Sequence, residues 1–166
     1  MIIHSVIRGR TALLTAKSSR LSFLANSLRP LSSSCDESDV LASFRSIVGD
    51  ENVLDGTSEN TSTAGYLKGQ RLGRGTAKAI ALPNRVGQVP DLIEAAVNAG
   101  CVVVVQGANT GLTGASVPHN NGDSGVNDTA DNRPAVVIST RRLDTILPVD
   151  DGKRVLCLAG AGLASL

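Results

Sequence analysis

Gly107–Ser116 reads G-A-N-T-G-L-T-G-A-S and follows directly on Cys101–Gln106, C-V-V-V-V-Q. The apolar run predicts a buried strand, and the small residues after it predict a turn with its backbone open to the outside. Glycine admits positive φ and lacks the Cβ that blocks close approach. Successive main-chain N–H groups in such a turn form a concave nest for anions, phosphate above all. Ordinary surface turns also favour Gly, Asn and Ser. Three features favour a phosphate-bearing ligand here: the length of the run, the apolar strand before it, and the hydroxyls of Thr110 and Thr113.

The two commonest diphosphate cradles do not fit. A Walker loop requires a lysine after its last glycine, and none follows here. The Rossmann fingerprint requires G-x-G-x-x-G opening a helix. Gly107, Gly111 and Gly114 have a different spacing, and Pro118 argues against a helix beginning in the loop.

Upstream, Ala79–Leu82 predicts a short strand. A helix follows, with Pro90 tolerated in its first turn, Leu92, Ile93, Ala96 and Val97 on its apolar face, and Gly100 as its stop. Strand, helix and strand at this spacing make a βαβ unit, with parallel strands and a right-handed crossover. The four consecutive valines predict a strand buried on both faces. The glycine loop then falls at a strand's carboxyl end, where open α/β sheets bind ligands.

Further upstream, Ser34 and Glu37 have capping-box spacing. Val40, Leu41, Phe44, Ile47 and Val48 recur on one helical face, and Gly49 ends the pattern. Residues 50–78 are polar and glycine-rich and read mostly as loop, with Tyr66, Lys68, Arg71 and Arg74 in a basic stretch. Downstream, Ala135–Ser139 and Val155–Leu158 predict strands, with Arg141-Arg142-Leu143-Asp144 a charged turn between them. Asp150-Asp151-Gly152 is a hairpin signal. The last residues, A-G-L-A-S-L, read as the start of a helix with no stop signal, so the chain is expected to be the N-terminal part of a longer protein.

Composition narrows the classes. The 166 residues are 42% hydrophobic but only 2% aromatic, so any core is built from Val, Leu, Ile and Ala. The net charge of +1 hides an asymmetry. Residues 1–35 carry Arg8, Arg10, Lys17, Arg20 and Arg29 and no acid; the rest is net acidic. An acidic body is a poor nucleic-acid binder. Residues 1–34 have the Arg-, Ser-, Ala- and Leu-rich composition of a mitochondrial transit peptide; their basic residues interrupt the apolar stretch that a secretory signal needs. No apolar run approaches the ~20 residues that span a bilayer, so membrane attachment would be peripheral and through regions outside this chain. Cys35, Cys101 and Cys157 form neither a disulfide framework nor a zinc pattern, and Cys101 and Cys157 are expected to pack. The acids of the Asn/Asp/Gly-rich loop Pro118–Pro134 lack EF-hand spacing, so no metal is expected. His4 and His119 read as bystanders, and the sequons at Asn60 and Asn127 as irrelevant in a mitochondrial protein.

Four stretches, in order, carry a resemblance. They are Tyr66–Gly75 (Y-L-K-G-Q-R-L-G-R-G), Ala79–Pro83 (A-I-A-L-P), Gln106–Thr113 (Q-G-A-N-T-G-L-T) and Ile138–Asp144 (I-S-T-R-R-L-D). Together they resemble the vanillyl-alcohol-oxidase or PCMH-type FAD-binding flavoproteins, in the quinone-dependent D-lactate dehydrogenase branch. The resemblance runs from about Tyr66 to Leu166. It implies an α+β (α/β-like) fold, the N-terminal part of a PCMH-type FAD-binding domain over 35–166, with a transit peptide over 1–34.

The resemblance also implies a function. FAD would be held by Gly107, Ala108, Asn109, Thr110 and Gly111, with Ala115 and Ser116 closing the far side. Members with covalent flavin often carry a histidine in this loop; none lies between Gly107 and Ser116, so non-covalent FAD is expected. The whole protein would oxidise D-lactate or a similar D-2-hydroxy acid and pass electrons to a quinone or cytochrome. The alternatives are another 2-hydroxy acid, such as 2-hydroxyglutarate or glycolate, or a non-catalytic FAD-binding remnant. Ala108 and Asn109 stand where the broader family has glycines, which favours the lactate branch; Ala115 stands where that branch carries glycine. The second FAD loop, substrate pocket and catalytic base of the family lie beyond Leu166, so no catalytic residue is assigned and the chain alone is expected to be inactive.

Overall fold

Helix α1, Glu37–Val48, places Val40, Phe44 and Val48 one turn apart along one buried stripe. Gly49 ends it at φ +89°, with its N–H on the carbonyl of Arg45. The computed structural model describes residues 37–58, 60–119 and 133–165, all within the compact unit Ser33–Leu166. The expected transit peptide, His4, Cys35, the Ser34–Glu37 capping box and the Asn127 sequon lie outside the described residues.

Four strands form the main sheet: β1 (Val53–Asp55), β2 (Ala79–Ala81), β3 (Val102–Gln106) and β4 (Ala135–Ser139), in the order β1-β2-β4-β3. β2 and β3 each run parallel to β4, and β1 is antiparallel to β2. Helix α3, Gln88–Asn98, joins β2 to β3. The βαβ unit is thus present, with β4 inserted between its two strands. The mixed sheet with helices makes the fold α+β, as expected.

One expectation about this sheet is corrected. The valines of β3 are not buried on both faces: Val102–Val104 are half-buried and Val105 is 56% exposed, because β3 is an edge strand. An apolar run reports average burial, not position in the sheet order. The doubly covered strand is β4, where Val136, Val137, Ile138 and Ser139 are fully buried.

Helices α1 and α3 cover one face. Val40, Phe44, Leu92 and Ala96 pack there against Ala79, Ala81, Val136 and Ile138. Ile93 and Val97 were expected on this buried face but are exposed at 39% and 63%. α3 packs through the narrow Leu92–Ala96 stripe, and the next residue around the helix turns away. Gln88 ties the helix ends together: its Oε1 accepts from the N–H groups of Asn84 and Arg85, and its Nε2 donates to Ile47 O at 3.1 Å.

On the opposite face Leu67 and Ala77 pack on Ile80 and Val137, with Tyr66 and Val104 beside them. Leu67 belongs to helix α2, Thr61–Leu67; residues 50–78 lie mostly outside regular elements, as expected, but also hold a one-turn 3-10 helix (Asp50–Asn52), β1 and α2, which the loop reading did not anticipate. The signal is short and polar, T-S-T-A-G-Y-L, and buries only Thr63 and Leu67. It is nucleated by Asn60, whose side-chain oxygen accepts from the Ser62 and Thr63 N–H groups while Thr63 Oγ1 accepts from Asn60 N–H.

β5 (Ile146–Val149) and β6 (Arg154–Cys157) form a separate antiparallel hairpin. Its turn is the expected Asp150-Asp151-Gly152, with φ of +52°, +55° and +81°. All of β6 is exposed, so Cys157 lies at the surface rather than packing; Cys101 packs as expected. The charged turn Thr140–Arg142 is a 3-10 helix anchored by Arg142, which donates to the buried Asn52 side chain. Leu163–Ser165 forms one 3-10 turn. Among the described residues no helix is long and apolar enough to cross a membrane.

Candidate functional site

The Gly107–Ser116 loop leaves the carboxyl end of β3, beside the carboxyl end of parallel β4. Two of its residues have positive φ: Gly114 at +78° and, unusually for a residue with a side chain, Asn109 at +57°. Asparagine is among the few residues that adopt this conformation readily.

Asn109 is also the loop's brace. Its Nδ2 donates to Gly65 O at 3.0 Å and to Lys68 O at 2.8 Å, and its Oδ1 accepts from Ser116 Oγ at 2.8 Å. Gln106, 1% exposed, adds a second tie: its Nε2 donates to Tyr66 O at 2.9 Å and to Ser116 O at 2.7 Å. These two amides complete the C-terminus of α2. A helix leaves its last carbonyls unpaired, and here Gly65 and Tyr66 are capped by Asn109 and Gln106, while Leu67 O accepts from Gly75 N–H. The loop and α2 therefore hold each other in place.

The loop's own main-chain donors are left over. Among the described residues, no N–H from Ala108 to Ser116 donates to a main-chain carbonyl. Ala108, Thr110, Gly111, Leu112, Thr113 and Ala115 are exposed, whereas Asn109 and Ser116 are half-buried with their side chains turned on each other. Of the seven residues expected to hold the cofactor, Asn109 and Ser116 thus offer main-chain groups only.

The glycines separate into two kinds. Gly114 is required by the fold, through its positive φ and a Cβ position 3.2 Å from Leu72 O. Gly107 and Gly111 are not: φ is not positive, and a Cβ on either meets nothing closer than 3.9 Å. The fold itself does not demand glycine at these two positions, and its absent Cβ leaves the backbone there open to close approach from outside. A diphosphate group such as that of FAD fits this donor set, because ionised oxygens accept from main-chain N–H groups at a nest.

A tight hairpin forms the neighbouring wall. Gly69 N–H donates to Gly73 O, Gly75 N–H donates to Leu67 O, and Lys68 pairs with Arg74. It lies hard against the far end of the glycine loop: a Cβ on Gly75 would stand 2.0 Å from Pro118 O, and one on Gly69 3.1 Å from Val117. Lys68 and Arg71 are exposed on it. This is the basic stretch that sequence reading could give no chemical role.

Beneath the loop, Gln106 and Ser139 are register partners on β3 and β4. Gln106 Oε1 and Ser139 Oγ are buried with no partner among the described residues. Buried polar atoms are nearly always bonded, so this pair marks a polar floor under the loop. Thr140 and Gly160 complete the base. Thr140 Oγ1 donates to Ala159 O at 3.2 Å, and a Cβ on Gly160 would stand 2.0 Å from Thr140 O. Sequence reading missed the roles of Gln106 and Gly160. The one sequence cue for Gln106 is a polar residue closing a run of valines.

The fold and the loop together define an α+β domain that presents a row of exposed main-chain amides, without main-chain partners among the described residues, at the carboxyl end of β3. Known proteins specify it further. The chain is 36% identical over 128 residues to a quinone-dependent D-lactate dehydrogenase of Corynebacterium glutamicum, covering 77% of this chain and 20% of that protein. It is 33% identical over 138 residues to a mitochondrial D-2-hydroxyglutarate dehydrogenase of Arabidopsis thaliana, covering 82% and 22%. Among solved structures, alkyldihydroxyacetonephosphate synthase matches with a TM-score of 0.51 at 18% identity, covering 68% of this chain and 22% of that one. No family model matches. In fold the chain is like the PCMH-type FAD-binding domains, and in sequence it is similar to the quinone-dependent D-lactate dehydrogenases and the D-2-hydroxyglutarate dehydrogenases. It spans about one fifth of the length of the curated relatives it matches.

Proposed function

We propose that this chain supplies the first diphosphate-binding half of the flavin site in an FAD-dependent dehydrogenase acting on D-lactate or a similar D-2-hydroxy acid, with a quinone or cytochrome as electron acceptor. The observation that carries the reading is the row of main-chain N–H groups from Ala108 to Ser116 that bond to no main-chain carbonyl among the described residues, held at the carboxyl end of β3. In this reading Gly107, Ala108, Asn109, Thr110 and Gly111 offer main-chain amides to the diphosphate. Thr110 adds a hydroxyl, and Ala115 and Ser116 bound the far side. Asn109 and Gln106 keep the donors aimed, which removes the cost of ordering the loop when the ligand binds. When bound, FAD supplies the two-electron acceptor for oxidation of the hydroxy acid to the 2-oxo acid.

The loop carries no histidine, which supports a dissociable rather than a covalent flavin. The Arabidopsis relative favours D-2-hydroxyglutarate as the second substrate reading, and its mitochondrial location supports the transit-peptide reading of residues 1–34. Association with the membrane would be peripheral.

The intact gene product is expected to purify yellow, to release FAD on acid precipitation, and to lose its flavin absorption when D-lactate is added without oxygen. Bleaching by D-2-hydroxyglutarate but not D-lactate would move the assignment to the second substrate. A folded, colourless protein that takes up no FAD would overturn it.

A further inference from the structure

The glycine loop brings no charge to the anion it is built to hold. Between Gly107 and Ser116 there is no lysine and no arginine. Main-chain amides carry only partial charges, and a diphosphate diester carries about two full negative ones. Nor does the chain beyond residue 35 offer a general positive field, since it is net acidic as a whole. A compensating cation must therefore come from a neighbouring element.

The hairpin Leu67–Gly75 is that element. It contains Lys68, Arg71 and Arg74 and no acid. Lys68 and Arg71 are exposed and form no ion pair with a described residue. The hairpin is fixed to the loop at two points. Asn109 Nδ2 holds Lys68 O at 2.8 Å, and Leu72 O lies 3.2 Å from where Gly114 would carry a Cβ. The backbone of Lys68 thus lies within one side-chain length of Asn109, inside the screening distance of about 8 Å at physiological salt. Glycines at 69, 73 and 75 make this approach possible. Residues 69 and 75 leave no room for a Cβ, and Gly73 adopts φ +85°.

We infer that Lys68 and Arg71 are a second binding element for the same ligand, supplying the positive charge that balances its diphosphate while the glycine loop supplies the hydrogen bonds. This rests on the flavin reading of the glycine loop. The hairpin is a lever on affinity: Asn109 couples the two walls, so a displaced hairpin moves the loop's donors and its charge together.

The test is FAD titration of the deflavinated intact gene product, followed by flavin fluorescence from 50 mM to 1 M NaCl. The K68Q/R71Q double variant is compared with K153Q, which removes one charge from the β5–β6 turn. The inference expects the double variant to bind FAD about tenfold more weakly at 50 mM NaCl, the deficit falling below about twofold at 1 M as screening removes the charge term. K68R/R71K should restore most of the affinity, and K153Q should match the parent. A double variant with the parent's affinity and salt dependence overturns the inference while leaving the flavin reading intact. A deficit that persists unchanged at 1 M salt also overturns it, because it would be structural rather than electrostatic. Failure of the parent protein to bind FAD overturns the flavin reading itself.

Discussion

Asn109 donates through its side-chain amide to the carbonyl of Lys68 at 2.8 Å, across forty-one positions of sequence. The same amide caps Gly65, and its oxygen receives Ser116 Oγ. One side chain thereby fixes a turn with positive φ, the end of a helix and the mouth of the glycine loop.

Replacing Asn109 separates these contributions. Asn109→Gly keeps the φ of +57° accessible and loses only the amide bonds, whereas Asn109→Ala loses both. Urea denaturation should show Asn109→Ala destabilised by about 1–3 kcal/mol and Asn109→Gly by less. Both should weaken FAD binding. An Asn109→Ala variant as stable as the parent would show that the brace is dispensable.

Gln106 tests the second tie. In Gln106→Glu an ionised carboxylate faces two carbonyl oxygens, Tyr66 O and Ser116 O, that now receive no proton. Gln106→Leu removes the donor without adding charge. Thermal unfolding at pH 7 should place Gln106→Glu below Gln106→Leu, and Gln106→Leu about 1–3 kcal/mol below the parent. The reverse order would contradict the donor assignment.

Glycine substitutions should split by position. Gly160→Ala and Gly75→Ala force a Cβ to about 2.0 Å from a carbonyl oxygen and should cost several kcal/mol or prevent folding. At Gly111 a Cβ comes no closer than 3.9 Å, to Ser116 Oγ, so Gly111→Trp should fold normally, yet lose FAD. Circular dichroism and flavin absorbance, read together, distinguish the two outcomes.

Asp55 gives a pH prediction. The Thr57 hydroxyl and then the Thr57 N–H bond to its carboxylate and hold it below the usual value of 3.8. A carboxyl depressed in the folded state stabilises the fold above its unfolded pKa and loses that contribution as pH falls through the folded value. Asp55→Ala should therefore be less stable than the parent near pH 7, by under about 1 kcal/mol because the group is solvent-screened. The gap should close as the solution is taken below pH 3.8. A gap independent of pH would remove the carboxylate from the account.

The strong periodic or bounded segments were legible in the sequence. α1, α3, β2, β4 and the Asp150-Asp151-Gly152 turn fall within a residue or two of expectation, because each has an apolar run or stripe, or a glycine or proline that fixes its end. α2 was not legible: seven residues, mostly polar, are held by a cap at one end and by Gln106 and Asn109 at the other. Helices that short are not stable alone and depend on such tertiary bonds. The exposure of β3 depends on β4 inserting beside it, which residues 101–106 do not encode. The loop at the end of β3 was legible because its small residues follow directly on an apolar run. Its coupling to the hairpin at residues 67–75 was not, because the bonds span about forty positions.

The central claim is that the main-chain N–H groups of Ala108–Ser116 grip a diphosphate. The most direct measurement is the amide nitrogen–proton NMR spectrum of the deflavinated protein titrated with FAD and, separately, with riboflavin, which lacks the diphosphate. The account predicts that FAD shifts the amides of residues 108–116 and slows their exchange with solvent, and that riboflavin leaves them in place. Equal responses to the two ligands, or binding of FAD with these amides unmoved, would contradict it.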